Sequence, residues 1–161
     1  MTEGRIRVIA LGILVHPQDH TVLAVCLPGH EGQGVHYRPP GGGVEFGEQA
    51  IDAVRREMLE ELRQPVVVER LLGVTENHFV VRERRGHEIV YNWLVRFVDE
   101  ALYDLDEWTI TESNGEIFPA HWVDLDELAA RGVPFYPYDT AGLIRELNFG
   151  LQRPGVPIDA V

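Results

Sequence analysis

The sequence predicts an α+β fold, and three observations carry that prediction. Its first half is rich in short apolar, β-branched runs separated by turn residues. One segment, 48–64, has no Gly or Pro and shows the three-and-four spacing of a helix. The order that follows is strands, helix, strands, helices, which fits α+β better than a regular βαβ series.

Residues 5–15 and 21–27 are the first two strands, and His16-Pro17-Gln18-Asp19-His20 between them carries turn residues, so the pair reads as a hairpin. Residues 28–36 hold four glycine or proline positions and read as loop. Tyr37-Arg38-Pro39-Pro40-Gly41-Gly42-Gly43 is read as irregular structure. In the helix, Ile51, Val54, Met58 and Leu62 form one apolar stripe. Pro65 is expected to end it, with the helix running on to Gln64, because the residue before a proline avoids the α region.

Residues 66–81 and 87–98 are two long β runs joined by the charged turn Arg82-Glu83-Arg84-Arg85-Gly86. In the second run Ile89, Tyr91, Trp93, Val95 and Phe97 share one face, while Glu88, Asn92 and Arg96 share the other. Residues 117–123 form a further strand. Asp124 caps a short helix that Gly132 ends, and a last helix covers about 139–149.

The chain has 161 residues, enough for one domain (1–161) with its own core, and 45% of them are hydrophobic. No apolar run approaches the roughly 18 residues of a membrane-spanning helix, and the apolar N-terminal stretch reads as a strand rather than a leader. Cys26 is the single cysteine, which excludes an internal disulfide and makes a cytoplasmic home the default. Nothing spaces Cys and His like a zinc site. The net charge of -12 argues against stable nucleic-acid binding. A protein this acidic that handles phosphates needs local cancellation of charge, which a divalent cation held by clustered carboxylates supplies.

Such a cluster is present. Glu57, Glu60 and Glu61 stand at i, i+3 and i+4 of the predicted helix, within an arc of roughly 100° beside the apolar stripe. Like charges at this spacing destabilise a helix by a few tenths of a kcal/mol per pair, and a bound cation reverses that sign. Mg²⁺ suits hard oxygen ligands, and Mn²⁺ can replace it. Taken alone, Glu-x-x-Glu-Glu is usually a solvated face. Here a glycine-rich loop, Gly41 to Gly43, enters the same helix, and Arg56 stands next to Glu57.

The stretch from Gly42 to Glu61 resembles the Nudix box. Gly42 is followed by five residues and Glu48, and after seven more come Arg56-Glu57-Met58-Leu59-Glu60-Glu61. Six fixed positions across twenty residues match. The box's final glycine is Arg63 here, and its last aliphatic is Gln64. Trp122-Val123-Asp124-Leu125-Asp126-Glu127-Leu128 also looks like the family's junction after its last strand.

The resemblance implies an α/β/α sandwich around a mixed β-sheet. It also implies Mg²⁺-dependent hydrolysis of a diphosphate bond in a nucleoside diphosphate linked to another group, by attack of water on phosphorus. By position, Glu57, Glu60, Glu61 and the Gly41 carbonyl are implied metal ligands, with Glu57 also a candidate general base. Arg56 orients the glutamates, and Gly42 and Glu48 support the loop. Arg38 and Tyr37 stand where they could contact the substrate. Relatives often add a distal acid; Glu88, Glu112 and Glu116 are candidates, with Glu88 preferred, and His121 is a possible base. The implied partner is a small nucleotide derivative, and a homodimer is possible. Two other readings stay open: a Nudix-fold module that binds nucleotides without cutting them, and an isomerase acting on a diphosphate ester.

Overall fold

The computed structural model describes residues 4–30, 32–81 and 83–151, with side chains through Leu147. Its strands are β1 (Ile6–Leu14), β2 (Val22–Pro28), β3 (Val35–Arg38), β4 (Gly41–Gly43), β5 (Val66–Val81), β6 (Arg84–Phe97), β7 (Trp108–Thr111) and β8 (Ile117–Val123). Its helices are α1 (Ala50–Leu62), α2 (Leu125–Ala130) and α3 (Tyr138–Leu151), and a 3₁₀ turn covers Glu100–Asp104. The strands form two four-stranded sheets, ordered β4-β1-β6-β5 and β3-β2-β8-β7. β1 and β6 run parallel, and the other pairs are antiparallel.

The central strands are apolar on both faces, which explains the layering. On β1, Ala10 and Leu14 join the core under α1, while Ile9, Leu11 and Ile13 join a second core under α2 and α3. On β2, Leu23 and Val25 go to the first core, Val22 and Ala24 to the second. Sheets built this way need cover on both sides. From α1, Ala53, Val54, Met58 and Leu62 are buried, each large side chain contributing about 1.5–3 kcal/mol by its burial. Met58 lies over Gly12, where an added Cβ would come within 2.7 Å of its sulfur.

Several expectations change. The first two strands are not a hairpin within one sheet: beyond a single bridge, Val15 to Val22, β1 and β2 diverge into different sheets. The segments read as loop (28–36) and irregular structure (37–43) contain β3 and β4. The glycines of β4 pair with Leu11, Ala10 and Ile9 of β1, because a backbone ladder requires no side chains. The 3₁₀ turn and β7 also went unread. The β5–β6 ladder extends to Val81–Arg84, with Glu83 left-handed at φ 64°, so the connection is tighter than the charged run suggested. Register shifts between Val68 and Arg70 and between Leu71 and Gly73 interrupt this ladder.

The polar face of β6 is only partly solvated, with Arg96 exposed. Asn92 is fully buried and Glu88 nearly so, because α3 covers that side. Thr140 on α3 donates its hydroxyl to Asn92 Oδ1 at 2.7 Å, and Asn92 Nδ2 donates to Thr75 Oγ1 at 3.2 Å. Buried polar groups persist where such partners exist.

Helix α1 stops at Leu62 rather than running to Gln64. Arg63 adopts the left-handed conformation, φ 59° and ψ 23°, that the missing glycine would have taken freely. The helix end keeps its geometry at a cost of roughly 1–2 kcal/mol. Arg63→Gly is therefore expected to raise stability by about 1 kcal/mol, read as a higher denaturation midpoint in urea. An unchanged or lower midpoint would mean that Arg63 is not strained.

Candidate active site

Glu57 and Glu61 stand one turn apart on α1 and turn inward against β4. Glu61 is 4% exposed, and its Oε2 accepts the Gly41 N–H at 2.8 Å. Gly41 sits at φ 133°, and an added Cβ there would meet the Ala10 carbonyl oxygen at 2.2 Å. Glu57, 8% exposed, lies over Gly42, where a Cβ would come within 2.6 Å of the carboxylate. Glycine at 42 thus lets the Glu57 carboxylate pack onto backbone, while glycine at 41 lets β4 pair closely with β1. Glu60 stays on the solvent side of the same arc, with its side chain 53% exposed.

Arg56 ties the helix to the loop before it. Its Nε and Nη2 donate to the two oxygens of Glu48 at 2.9 and 3.0 Å, a bidentate pair, and Nη2 also donates to the Gly43 carbonyl at 2.9 Å. Nη1 donates to Glu57 at 2.9 Å and to Glu60 at 3.3 Å. This planar fork fixes both ends of the site at once. Glu48 also accepts the Glu45 N–H at 3.0 Å. Hydrogen bonds from Arg56 hold the Glu48 carboxyl down at about 2.

The opposite wall comes from the second sheet. Arg38 on β3 pairs with Glu112, which follows β7. Glu112 continues the inward face that Trp108 and Ile110 establish, and both Glu57 and Glu61 feel its charge. Burial is the largest influence on Glu61 and pushes its carboxyl up to about 8. The Gly41 N–H and Arg38 oppose that rise, while Glu112 and Glu57 reinforce it. Glu57 is raised first by burial, with Arg56 resisting. Five carboxylates (48, 57, 60, 61, 112) face two guanidinium groups (38, 56), leaving the site acidic when all are ionised.

The structure therefore brings together Arg38, Gly41, Gly42, Glu48, Arg56, Glu57, Glu60 and Glu61, and of the three candidate distal acids it sets Glu112 beside them. Glu88 is on the far side of its sheet, held by Arg7 at 3.3 Å and Asn77 at 3.1 Å. Its strand face looks toward α3, away from α1, so the structure does not bring it to the α1 cluster. Glu116 is exposed and engaged by Asn114. Tyr37 points away from Arg38 across β3, with its hydroxyl 3.2 Å from His121 Nδ1. Both are thereby occupied with each other. A signal for Glu112 was available: Trp108, Ile110 and Glu112 alternate, with Asn114-Gly115 as the turn that follows.

Acidic side chains of one helix thus pack on a glycine strand at the edge of an α/β/α sandwich. The chain belongs to the NUDIX domain family, whose model matches residues 6–140. A stretch of 92 residues is 34% identical to a Mycobacterium tuberculosis (strain CDC 1551 / Oshkosh) protein named "Putative mutator protein MutT4"; it covers 57% of this chain and 34% of that one. The match thus spans about a third of that relative's length. Among solved structures, the chain is similar to a NUDIX hydrolase from Nitrosomonas europaea (TM-score 0.57, 23% identity, 98% of this chain and 96% of that one). It is also similar to an ADP-ribose pyrophosphatase from Streptococcus suis 89-1591 (TM-score 0.56, 16% identity, 94% and 96%). These structural likenesses establish the Nudix fold. Among the described residues, no helix is long and apolar enough to cross a membrane.

The raised Glu61 carboxyl has a consequence for the cation-free protein. Its folded-state value of about 8 lies above the ordinary 4.5, so the folded state holds a proton that the unfolded chain has released. Stability should be undiminished by this group below the ordinary value, fall as pH rises from there toward 8, and level off above. Each unit in that window is worth at most about 1.4 kcal/mol. Melting temperatures in a chelator should show this decline in the native protein and a flatter profile in Glu61→Gln. Parallel profiles in the two proteins would remove Glu61 as its source.

Proposed function

We propose that this chain is a Nudix-type pyrophosphohydrolase that uses Mg²⁺, or Mn²⁺ in its place, to cut the diphosphate bond of a nucleoside diphosphate linked to another group. The observation that carries this reading is the burial of Glu57 and Glu61 side by side, in reach of the Glu112 charge. Buried like charges are costly unless a cation joins them. The donors are all oxygens, carboxylate or carbonyl, which fit Mg²⁺ and its preference for hard ligands and retained waters.

Glu57 and Glu61 would hold the cation, with Glu60 joining from the solvent side and the Gly41 carbonyl as a further donor. When bound, the cation neutralises the diphosphate and lowers the pKa of the attacking water. Arg56 keeps Glu57 and Glu60 oriented through its hydrogen bonds. Arg38 offers a cation to the phosphate oxygens opposite α1. Glu57 or Glu112 accepts the proton that the water gives up as it attacks phosphorus, and Glu48 and Gly42 hold the loop in place. Tyr37 supports β3 rather than the substrate. The substrate is a small nucleotide derivative; nucleoside triphosphates, nucleoside diphosphate sugars and dinucleoside polyphosphates all present the required bond. The acidic chain works in the cytoplasm, without membrane or nucleic-acid partners, and a homodimer is compatible with this site.

A panel of these three substrate classes, assayed for phosphate or nucleotide release with Mg²⁺ and with a chelator, tests the reading. Turnover is expected with Mg²⁺ alone. Glu57→Gln and Glu61→Gln should each lower kcat by about 10²-fold or more while remaining folded, and Glu112→Gln by roughly 10–10²-fold. Nucleotide binding without turnover under every metal supplied would favour the non-cutting module, and a rearranged product of unchanged mass the isomerase. A second experiment addresses the glycine strand: Gly42→Ala should cut activity at least as strongly as Glu57→Gln, because the new methyl occupies the carboxylate's place. Full activity in that variant would show that Glu57 works from another position.

A further inference from the structure

The β5–β6 ribbon gathers a second set of ligating groups that the carboxylate cluster does not use. His78 and His87 are directly opposed in the antiparallel ladder. Glu76 precedes His78 by two residues, so all three side chains share one face of the ribbon. Their ligating atoms lie within 4.8 Å of one another. The two imidazoles stack at 4.1 Å with 29° between their planes. Both Nε2 atoms converge on one oxygen: Glu76 Oε1 is 2.9 Å from His78 Nε2 and 2.7 Å from His87 Nε2.

A hydrogen-bonded surface cluster accounts for only part of this arrangement. His78 Nε2 does share a hydrogen bond with Glu76. His87 Nε2 is shielded from solvent and, among the described residues, makes no well-directed hydrogen bond; its 2.7 Å contact with Glu76 is a close but poorly directed ion pair. A metal ion placed among the three atoms would give that nitrogen the directed partner that Glu76 does not.

We propose that Glu76 Oε1, His78 Nε2 and His87 Nε2 form a transition-metal site that takes Zn²⁺, with water completing the coordination. Zinc–nitrogen and zinc–oxygen distances of about 2.0–2.2 Å set tetrahedral ligand atoms roughly 3.3 Å apart. The Glu76 carboxylate must then withdraw by about half an ångström, which its 57% exposed side chain can do. Two imidazole ligands select against Mg²⁺, which keeps to oxygen. The ribbon site and the oxygen-only cluster on α1 would therefore sort different ions. Cys and His spacing gave no hint of it, because the ligands meet through ladder register rather than along the chain.

The test uses the full chain carrying Glu57→Gln and Glu61→Gln, so that the α1 cluster does not compete for metal. Zn²⁺ alone is titrated in competition with a chromogenic chelator, in excess Mg²⁺. One equivalent is expected to bind, and His78→Gln or His87→Gln should each weaken it by at least about tenfold. Co²⁺ in place of Zn²⁺ should give visible absorption bands that the double histidine variant loses. Circular dichroism checks that the variants remain folded, and His78→Gln, at a side chain 64% exposed, is the safer of the two. No bound zinc in the parent, or one full equivalent retained in the folded double histidine variant, overturns the proposal.

Discussion

The contact on which the site depends is the approach of α1 to the bare backbone of β4. Glu61 takes its hydrogen bond from the Gly41 N–H, and Glu57 lies where a Gly42 side chain would be. A methyl at Gly42 would push helix and strand apart, and one at Gly41 would push β4 off β1. That one distance couples the two halves of the site, because β4 is pinned to β1 at Ile9–Leu11 and α1 is pinned to Gly12 through Met58. The carboxylates are thus held by the core itself, and their charge is carried into partial burial as the core closes. Arg56 then bridges Glu48, Gly43, Glu57 and Glu60 with one rigid group, so loop and helix cannot drift independently.

The rest of the sandwich serves this placement. The second sheet delivers Arg38 and Glu112 from two strands that are not neighbours, since β3 and β7 are its opposite edges. They meet over α1 because both sheets share its core. On the far side, α2 and α3 cover the other face, and Thr140 locks the buried Asn92. Each sheet is therefore fixed from both sides, which gives an acidic cluster rigid support against its own repulsion.

Much of this was legible in the sequence, and the remainder was hidden for identifiable reasons. The helix, its apolar stripe and its carboxylate arc follow from periodicity, and the Gly42–Glu61 spacing carries the family. β3 and β4 were hidden because glycine and proline signal turns, whereas here β1 supplies the ladder that makes a strand of three glycines. Glu88 looked like the distal acid because its strand face is polar. Whether a polar face meets solvent or another layer is a tertiary question, and α3 decided it. Pro65 pointed to a helix end at Gln64, but the chain turns at Arg63 in the left-handed region despite a local penalty of one residue.

β5 is the outer strand of its sheet and sixteen residues long, a length that would ordinarily invite other chains to pair along it. The two register shifts near Arg70 and Gly73 break its free hydrogen-bonding groups into shorter pieces, and Glu69, Arg70 and Glu76 add charge along it. Irregularity that interrupts the ladder thus discourages edge-to-edge aggregation. Regularising those bulges for the sake of stability would trade a better-formed strand for a stickier protein.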